Sequence, residues 1–243
     1  MPDTRNHRGP HPEDARLFAP EAIPTLRRAV ADLNWLLSRG YAGTAAQKLV
    51  GDRYQLAARQ RTAVARCACS DLERERRTAT CVDWSKLAGR PLELDGYNVL
   101  TTVEAAMAGG VILAARDGTF RDMASMHGSF RRVMETRPAL EWIGRTAAAL
   151  GVSMCRWHLD RPVSNSARLK AVMEEIARQH GWNWSVELTT NPDAVLMASP
   201  ETVATADSAI LDRCAAWCNL ARETIQRFVP NARIVDLASL NEP

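Results

Sequence analysis

Apolar positions along the chain fall into two textures. Up to about residue 88 they recur at threes and fours, the period of one helix face. Ile23, Leu26, Val30, Leu33, Leu36 and Leu37 form the first such stripe, and Gly40 after Arg39 is a C-terminal stop. Thr44 opens a second helix, AAQKLVGDRY, and Gln60 to Cys69 begins a third. No period-two alternation appears before residue 90, so the first third reads as a small all-helical unit. Its run Tyr41 to Arg66 resembles helix-turn-helix spacing, a pattern that many helical bundles share.

From residue 91 short apolar runs alternate with helical stripes. Pro91 to Leu94 is a strand ending at Asp95, and Thr102 to Ala108 a helix closed by Gly109 and Gly110. Val111 to Ala115 is a strand followed by an Arg-Asp-Gly turn. A helix over 136–150 stops at Gly151, and Val152 to Leu159 is a strand ending at Asp160. Ser166 to His180 is a helix closed by Gly181, and Trp184 to Leu188 a strand. Ala194 to Met197 is apolar and of open type. Thr202 to Thr205 is a strand with Asp207 directly after it, Leu211 to Phe228 a helix, and Arg233 to Leu237 a last strand.

This alternation predicts an α/β domain with a mostly parallel sheet and helices on both faces, preceded by the helical unit. The expected boundaries are a disordered polar leader over 1–13, a helical N-terminal domain over 14–88 and the α/β domain over 89–243.

Composition narrows this only a little. The 243 residues are 46% hydrophobic and 24% charged, ordinary globular values. A net charge of +3 permits a nucleic-acid partner without requiring one. No apolar run reaches the roughly 18 residues of a transmembrane helix, and the N-terminus lacks the apolar core of a signal peptide. A cytoplasmic protein is expected. The six cysteines then read as free thiols, and Cys67-Ala-Cys69 with Cys81 lacks the paired C-x2-C spacing of a zinc site. The chain has no Walker loop, no GxGxxG and no GxSxG elbow.

The candidate chemistry lies in three aspartates, each directly following a predicted strand: Asp95 in LELDGYN, Asp160 in CRWHLDRP and Asp207 in VATADSAILD. Ligands of open parallel sheets bind beyond the carboxyl ends of the strands. If the three strands are neighbours, their carboxylates converge. Clustered carboxylates repel one another, and a hard divalent cation relieves the conflict. Against this, aspartate after a strand often caps a helix or bonds its own backbone.

Asp95-Gly96-Tyr97-Asn98 resembles the opening motif of NYN-type nucleases, a branch of the PIN-like superfamily, and Thr205-Ala206-Asp207-Ser208 is similar to their late strand ending. The resemblance spans about residues 91–237. It implies that Asp95, Asp160 and Asp207 hold magnesium or manganese and that Asp212 adds a fourth carboxylate. It also implies that Asn98 orients Asp95 or touches substrate, with Ser208 beside it. PIN-like proteins carry a further acid on an early helix, for which Glu104 is the nearest position; Asp193 is an acid the resemblance does not place. The whole chain is also similar to an uncharacterised prokaryotic family, through stretches such as SRGY, KLVGDRY, LDGYNVL, LDRPVSNS and TADSAILD.

Basic and small polar residues supply candidate substrate contacts. Arg161, Asn165 and Ser166 precede a helix whose N-terminus suits an anion, although Ser164, Asn165 or Ser166 can equally cap it. Arg116, Arg121, Arg131 and Arg132 flank a Gly- and Ser-containing stretch with His127 inside it, expected to be a loop near the site. Arg59, Arg61, Arg66, Arg74, Arg76 and Arg77 make the helical unit basic, as a solvated face or a phosphate-contacting one. The expected activity is a divalent-metal-dependent nuclease or phosphodiesterase acting on RNA. The alternatives are a non-catalytic nucleic-acid- or nucleotide-binding protein on the same fold, or a small-molecule phosphohydrolase.

Overall fold

The helical stripes and short strands form in the order the sequence dictates. The computed structural model describes residues 7–124, 130 and 132–238. The helical part comprises α1 (Asp14–Leu17), α2 (Ile23–Ser38), α3 (Gly43–Arg53), α4 (Ala58–Cys67) and α5 (Asp71–Thr80). Leu26, Ala29, Val30, Leu33 and Leu36 of α2 are buried, the face set by their spacing of three and four. Ser70 caps α5 by accepting from the Glu73 amide, while the Glu73 side chain reaches back to the Ser70 amide.

The remainder runs β1 (Pro91–Asp95), α6 (Gly96–Met107), β2 (Ile112–Ala114), β3 (Phe120–Asp122), α7 (Thr136–Ala149), β4 (Met154–Asp160) and α8 (Ser166–His180). It continues β5 (Trp184–Thr189), α9 (Pro192–Ala198), β6 (Thr202–Ala204), α10 (Ser208–Leu211), β7 (Ala216–Cys218), α11 (Leu220–Phe228) and β8 (Ile234–Asp236).

Five strands form a parallel sheet in the order β5-β4-β1-β6-β7. Numbered within that sheet, the order is 3-2-1-4-5. The chain winds first to one side of β1 and then to the other, so the topological switch point lies between β1 and β6. β2, β3 and β8 form a second, three-stranded sheet. Helices flank the large sheet. Leu92 and Leu94 of β1 and Cys155, Trp157 and Leu159 of β4 face α6, α7, α8 and α11 in the main core. The alternate positions, Glu93, Arg156 and His158, join in one hydrogen-bonded group: Arg156 and His158 meet the two Glu93 oxygens at 2.7 and 2.6 Å. Fully buried parallel strands are apolar on both faces. Glu93 and His158 are buried here and neutralise one another, beside a second small core of Leu196, Val203, Ile210, Leu211 and Trp217 under α9 and α10.

Four expectations change. The leader over 1–13 was expected to be disordered. From residue 7 it is docked: Arg8 pairs with the fully buried Glu104 of α6, whose carboxylate needs a counter-charge. The boundary at residue 88 does not separate two cores. The helical part completes its core with Val111, Leu113, Met123, Val235 and Leu237 of the small sheet and its flanks. The expected loop after residue 115 contains β3, paired antiparallel to β2. The expected helix over 211–228 is broken by β7, the fifth parallel strand. No helix among the described residues is long and apolar enough to cross a membrane.

Candidate active site

β1 and β4 end in Asp95 and Asp160, Asp207 follows the end of β6 at Ala204 by three residues, and the three strands are adjacent in the sheet, in the order β4-β1-β6, and all parallel. Their carboxyl ends therefore share one edge, and Asp95 and Asp207 stand on either side of the switch point. The first turn of α6 follows β1 without a linker. Gly96 makes this possible: a Cβ there would lie 2.5 Å from Leu159 Cδ2 and 2.7 Å from the His158 carbonyl oxygen.

Asp95 and Asn98 together clasp the segment after β6. Thr205 Oγ1 donates to Asp95 Oδ2 at 2.8 Å and accepts the Asp207 amide at 3.0 Å. Asn98 Oδ1 accepts the Ala206 amide at 2.9 Å. Asn98 thus positions the loop that carries Asp207. Asp207 in turn caps α10, its Oδ1 accepting the Ala209 and Ile210 amides at 2.8 and 3.3 Å. Its Oδ2 makes no hydrogen bond among the described residues.

Electrostatics ties the acids together. Burial pushes the Asp95 carboxyl up; the Thr205 hydroxyl opposes this and the charges of Asp207 and Asp193 reinforce it, bringing it to about 7. Asp193 is raised by burial and by Asp207. Asp160 is raised by burial and by Asp193. Asp193, in the first turn of α9 after β5, is therefore the acid that couples to all three others. Among the described residues, no three His, Cys, Asp or Glu side chains stand close enough to hold one metal ion between them.

A cleft of about 550 Å³ opens beside Asp207, between α4 and α6. Asn98, Asp122, Asp207 and Ser208 line it from the α/β side, and Arg61 and Arg66 from α4. Its wall is held by an ion-pair chain. Arg121 donates to the Ala206 carbonyl at 2.7 Å, to Ser208 Oγ at 3.3 Å and to Asp117 at 2.7 Å. Asp117 also accepts from Arg77 at 2.7 Å, and Arg77 grips both oxygens of Asp212 at 2.7 and 2.8 Å.

The remaining sequence-derived positions are dispersed. Asp212 is held by Arg77 and is not brought to the crevice. Arg116 donates to the Cys69 carbonyl and pairs with Asp71, joining β2 to the helical part. Arg161 donates to the Leu188 carbonyl at 2.9 Å. Asn165 adopts φ +68 and donates to the Phe130 carbonyl at 3.1 Å, and the Ser166 hydroxyl donates to the Arg161 carbonyl. Neither side chain caps α8. Glu104 is paired with Arg8 and Thr136 rather than with the acids. Arg131 and His127 lie outside the described residues.

The family model described as "Domain of unknown function (DUF5616)" matches residues 84–223, more than half of the chain. The chain belongs to the DUF5616 family. A second model, "Protein of unknown function (DUF434)", matches residues 25–79. The DUF5616 segment carries Asp95, Asp160, Asp193 and Asp207, while Arg61 and Arg66 fall in the DUF434 segment, so the cleft joins the two. The uncharacterized protein MJ0935 of Methanocaldococcus jannaschii is 26% identical over 187 residues, 77% of this chain and 89% of the relative. No solved structure matches the chain.

Proposed function

We propose that this protein is a divalent-metal-dependent phosphodiesterase that cleaves nucleic acid, with RNA as the expected substrate. The observation that carries the reading is the pairing of Asp95 and Asp207 across the switch point through Thr205, with Asp207 lining a cleft that Arg61 and Arg66 also line. The Asp207 charge raises the proton affinity of Asp95, a conflict that a cation would relieve, and guanidiniums line the cleft where phosphate oxygens would bind. The D-G-Y-N and T-A-D-S segments, which resemble those of PIN-like nucleases, support the reading.

The donor set suits magnesium or manganese, since every candidate ligand is a hard oxygen. It does not form a cage of three protein acids. It fits a cation held by one or two carboxylates, with water and substrate phosphate oxygens completing the shell, the usual binding mode of magnesium. Asp95 and Asp207 would be those carboxylates. When bound, the cation would supply a nucleophilic water and stabilise charge on the phosphoryl group.

The protein's own residues do the remaining work. Thr205 fixes Asp95 Oδ2 and the Asp207 amide in one geometry. Asn98 and Arg121 hold the Ala206 peptide from its two ends, through its amide and its carbonyl. Arg61, beside Asp52 at 2.8 Å, and Arg66, beside Asp122 at 3.7 Å, would take the strand's phosphates, and Asp193 adds negative charge near Asp95. The reading is tested by incubating the protein with single-stranded and structured RNA and DNA, with magnesium or manganese and with a chelator. Cleavage that requires the cation is expected; cleavage unaffected by the chelator contradicts the reading.

A further inference from the structure

A second basic hollow lies on the helical part, between α2 and α5. It has a volume of about 420 Å³, the size range of small-ligand sites. Four arginines line it: Arg27, Arg39, Arg74 and Arg116. Two of them face carboxylates, Arg116 toward Asp71 at 2.5 Å and Arg27 toward Asp236 at 3.8 Å. The other two are not neutralised in this way. Arg39 makes no ion pair among the described residues; it donates to the Trp35 carbonyl at 3.3 Å and stands over the Trp35 ring, 3.7 Å from its centroid. The Arg74 side chain makes no hydrogen bond or ion pair among the described residues and acts on Asp71 only through space.

Trp35 gives the hollow its second property. It lies on the exposed side of α2 with 52% of its surface open to solvent. An indole left in water is costly. Here a guanidinium stacks on it, and the hollow at its edge carries surplus positive charge. Aromatic surface beside arginines along a groove is the chemistry that binds single-stranded nucleic acid, by stacking a base and neutralising its phosphates.

We propose that this hollow is a binding site for single-stranded nucleic acid, separate from the cleft beside Asp207. A base stacks on Trp35 and Arg39, and Arg74 takes a flanking phosphate. The site needs no metal and no cleavage, so it stands or falls independently of the phosphodiesterase reading.

The test is fluorescence anisotropy of a labelled oligouridine and oligothymidine of about twelve nucleotides, within the span of known single-strand sites. It is run in chelator, with the full chain and with Trp35→Ala, Trp35→Phe and Arg74→Glu. Circular dichroism and melting confirm that each variant folds, as expected for changes at exposed positions. Trp35→Ala should weaken binding at least about fivefold, the low end for loss of one stacked base. Trp35→Phe should restore part of it. Arg74→Glu should weaken binding and lower the salt slope by about one. Folded Trp35→Ala and Arg74→Glu variants that bind within twofold of wild type would overturn the proposal. So would uridine monophosphate binding as tightly as the oligomer, since a nucleotide pocket is not a strand site.

Discussion

Thr205 Oγ1 lies 2.8 Å from Asp95 Oδ2 and 3.0 Å from the Asp207 amide nitrogen, so one hydroxyl joins the two acids across the switch point. Thr205→Val keeps the shape and removes both hydrogen bonds. Groups that orient metal ligands are typically worth about 10- to 100-fold in activity or metal affinity. A loss of that size is expected for Thr205→Val, with melting nearly unchanged. Thr205→Ser should recover most of it.

The acid pair gives the site a pH signature. Burial holds the Asp95 proton up to about 7, with Asp207 and Asp193 adding to the effect, and a cation competes with that proton. Manganese affinity, measured by titration, should therefore rise about tenfold per pH unit below 7 and level off above it. Because the folded value lies above the unfolded one, this acid contributes instability that grows as pH rises from about 4 to 7. Without divalent cation, Asp95→Asn should melt above wild type at pH 8, and the difference should vanish below about pH 4.

Asp117 behaves in the opposite sense. Burial alone would raise its carboxyl, but Arg121 and Arg77 pull it down to about 2. Its stabilising contribution is therefore present above about pH 4 and is lost as pH falls toward 2. Asp117→Asn removes the carboxylate of the buried Arg121 and leaves Arg77 with Asp212 alone, and should cost about 3–5 kcal/mol at neutral pH by denaturant melts, with a flatter acid limb.

Gly96→Ala tests the close approach of α6 to β4. The new methyl would meet Leu159 and the His158 backbone, and overpacking of this kind costs about 1–3 kcal/mol. The displaced turn carries Asn98, so activity should fall by more than the change in folded fraction explains.

Much of this arrangement was readable in the pattern of the chain. β1, β4 and β6 each ended where an acid follows a short apolar run, and the parallel order then made them neighbours. β7 was hidden because Ala216, Trp217 and Cys218 continue the apolar spacing of the helix after them. A three-residue strand carries too little period to outweigh a helical stripe. β3 was hidden because Arg121 and Asp122 look like loop residues, yet they are buried and satisfied by Asp117, Thr102 and the Ala206 carbonyl. The same cause separated Asp212 from Asp207: sequence placed them five apart, while only the fold brings Arg77 to Asp212. Asp193 was named but not placed, because the segment after it has no decisive period. As the first turn of α9 it lies beyond the end of β5 on the same edge as the other acids.

The most direct test compares cleavage of single-stranded RNA in manganese by wild type, Asp95→Asn and Asp207→Asn, with folding of each confirmed by melting. The predicted result is cation-dependent cleavage by wild type and loss of at least about a hundredfold in each variant, the upper range for disturbing a metal site. Cation-dependent cleavage that survives both substitutions would contradict the assignment of these two carboxylates.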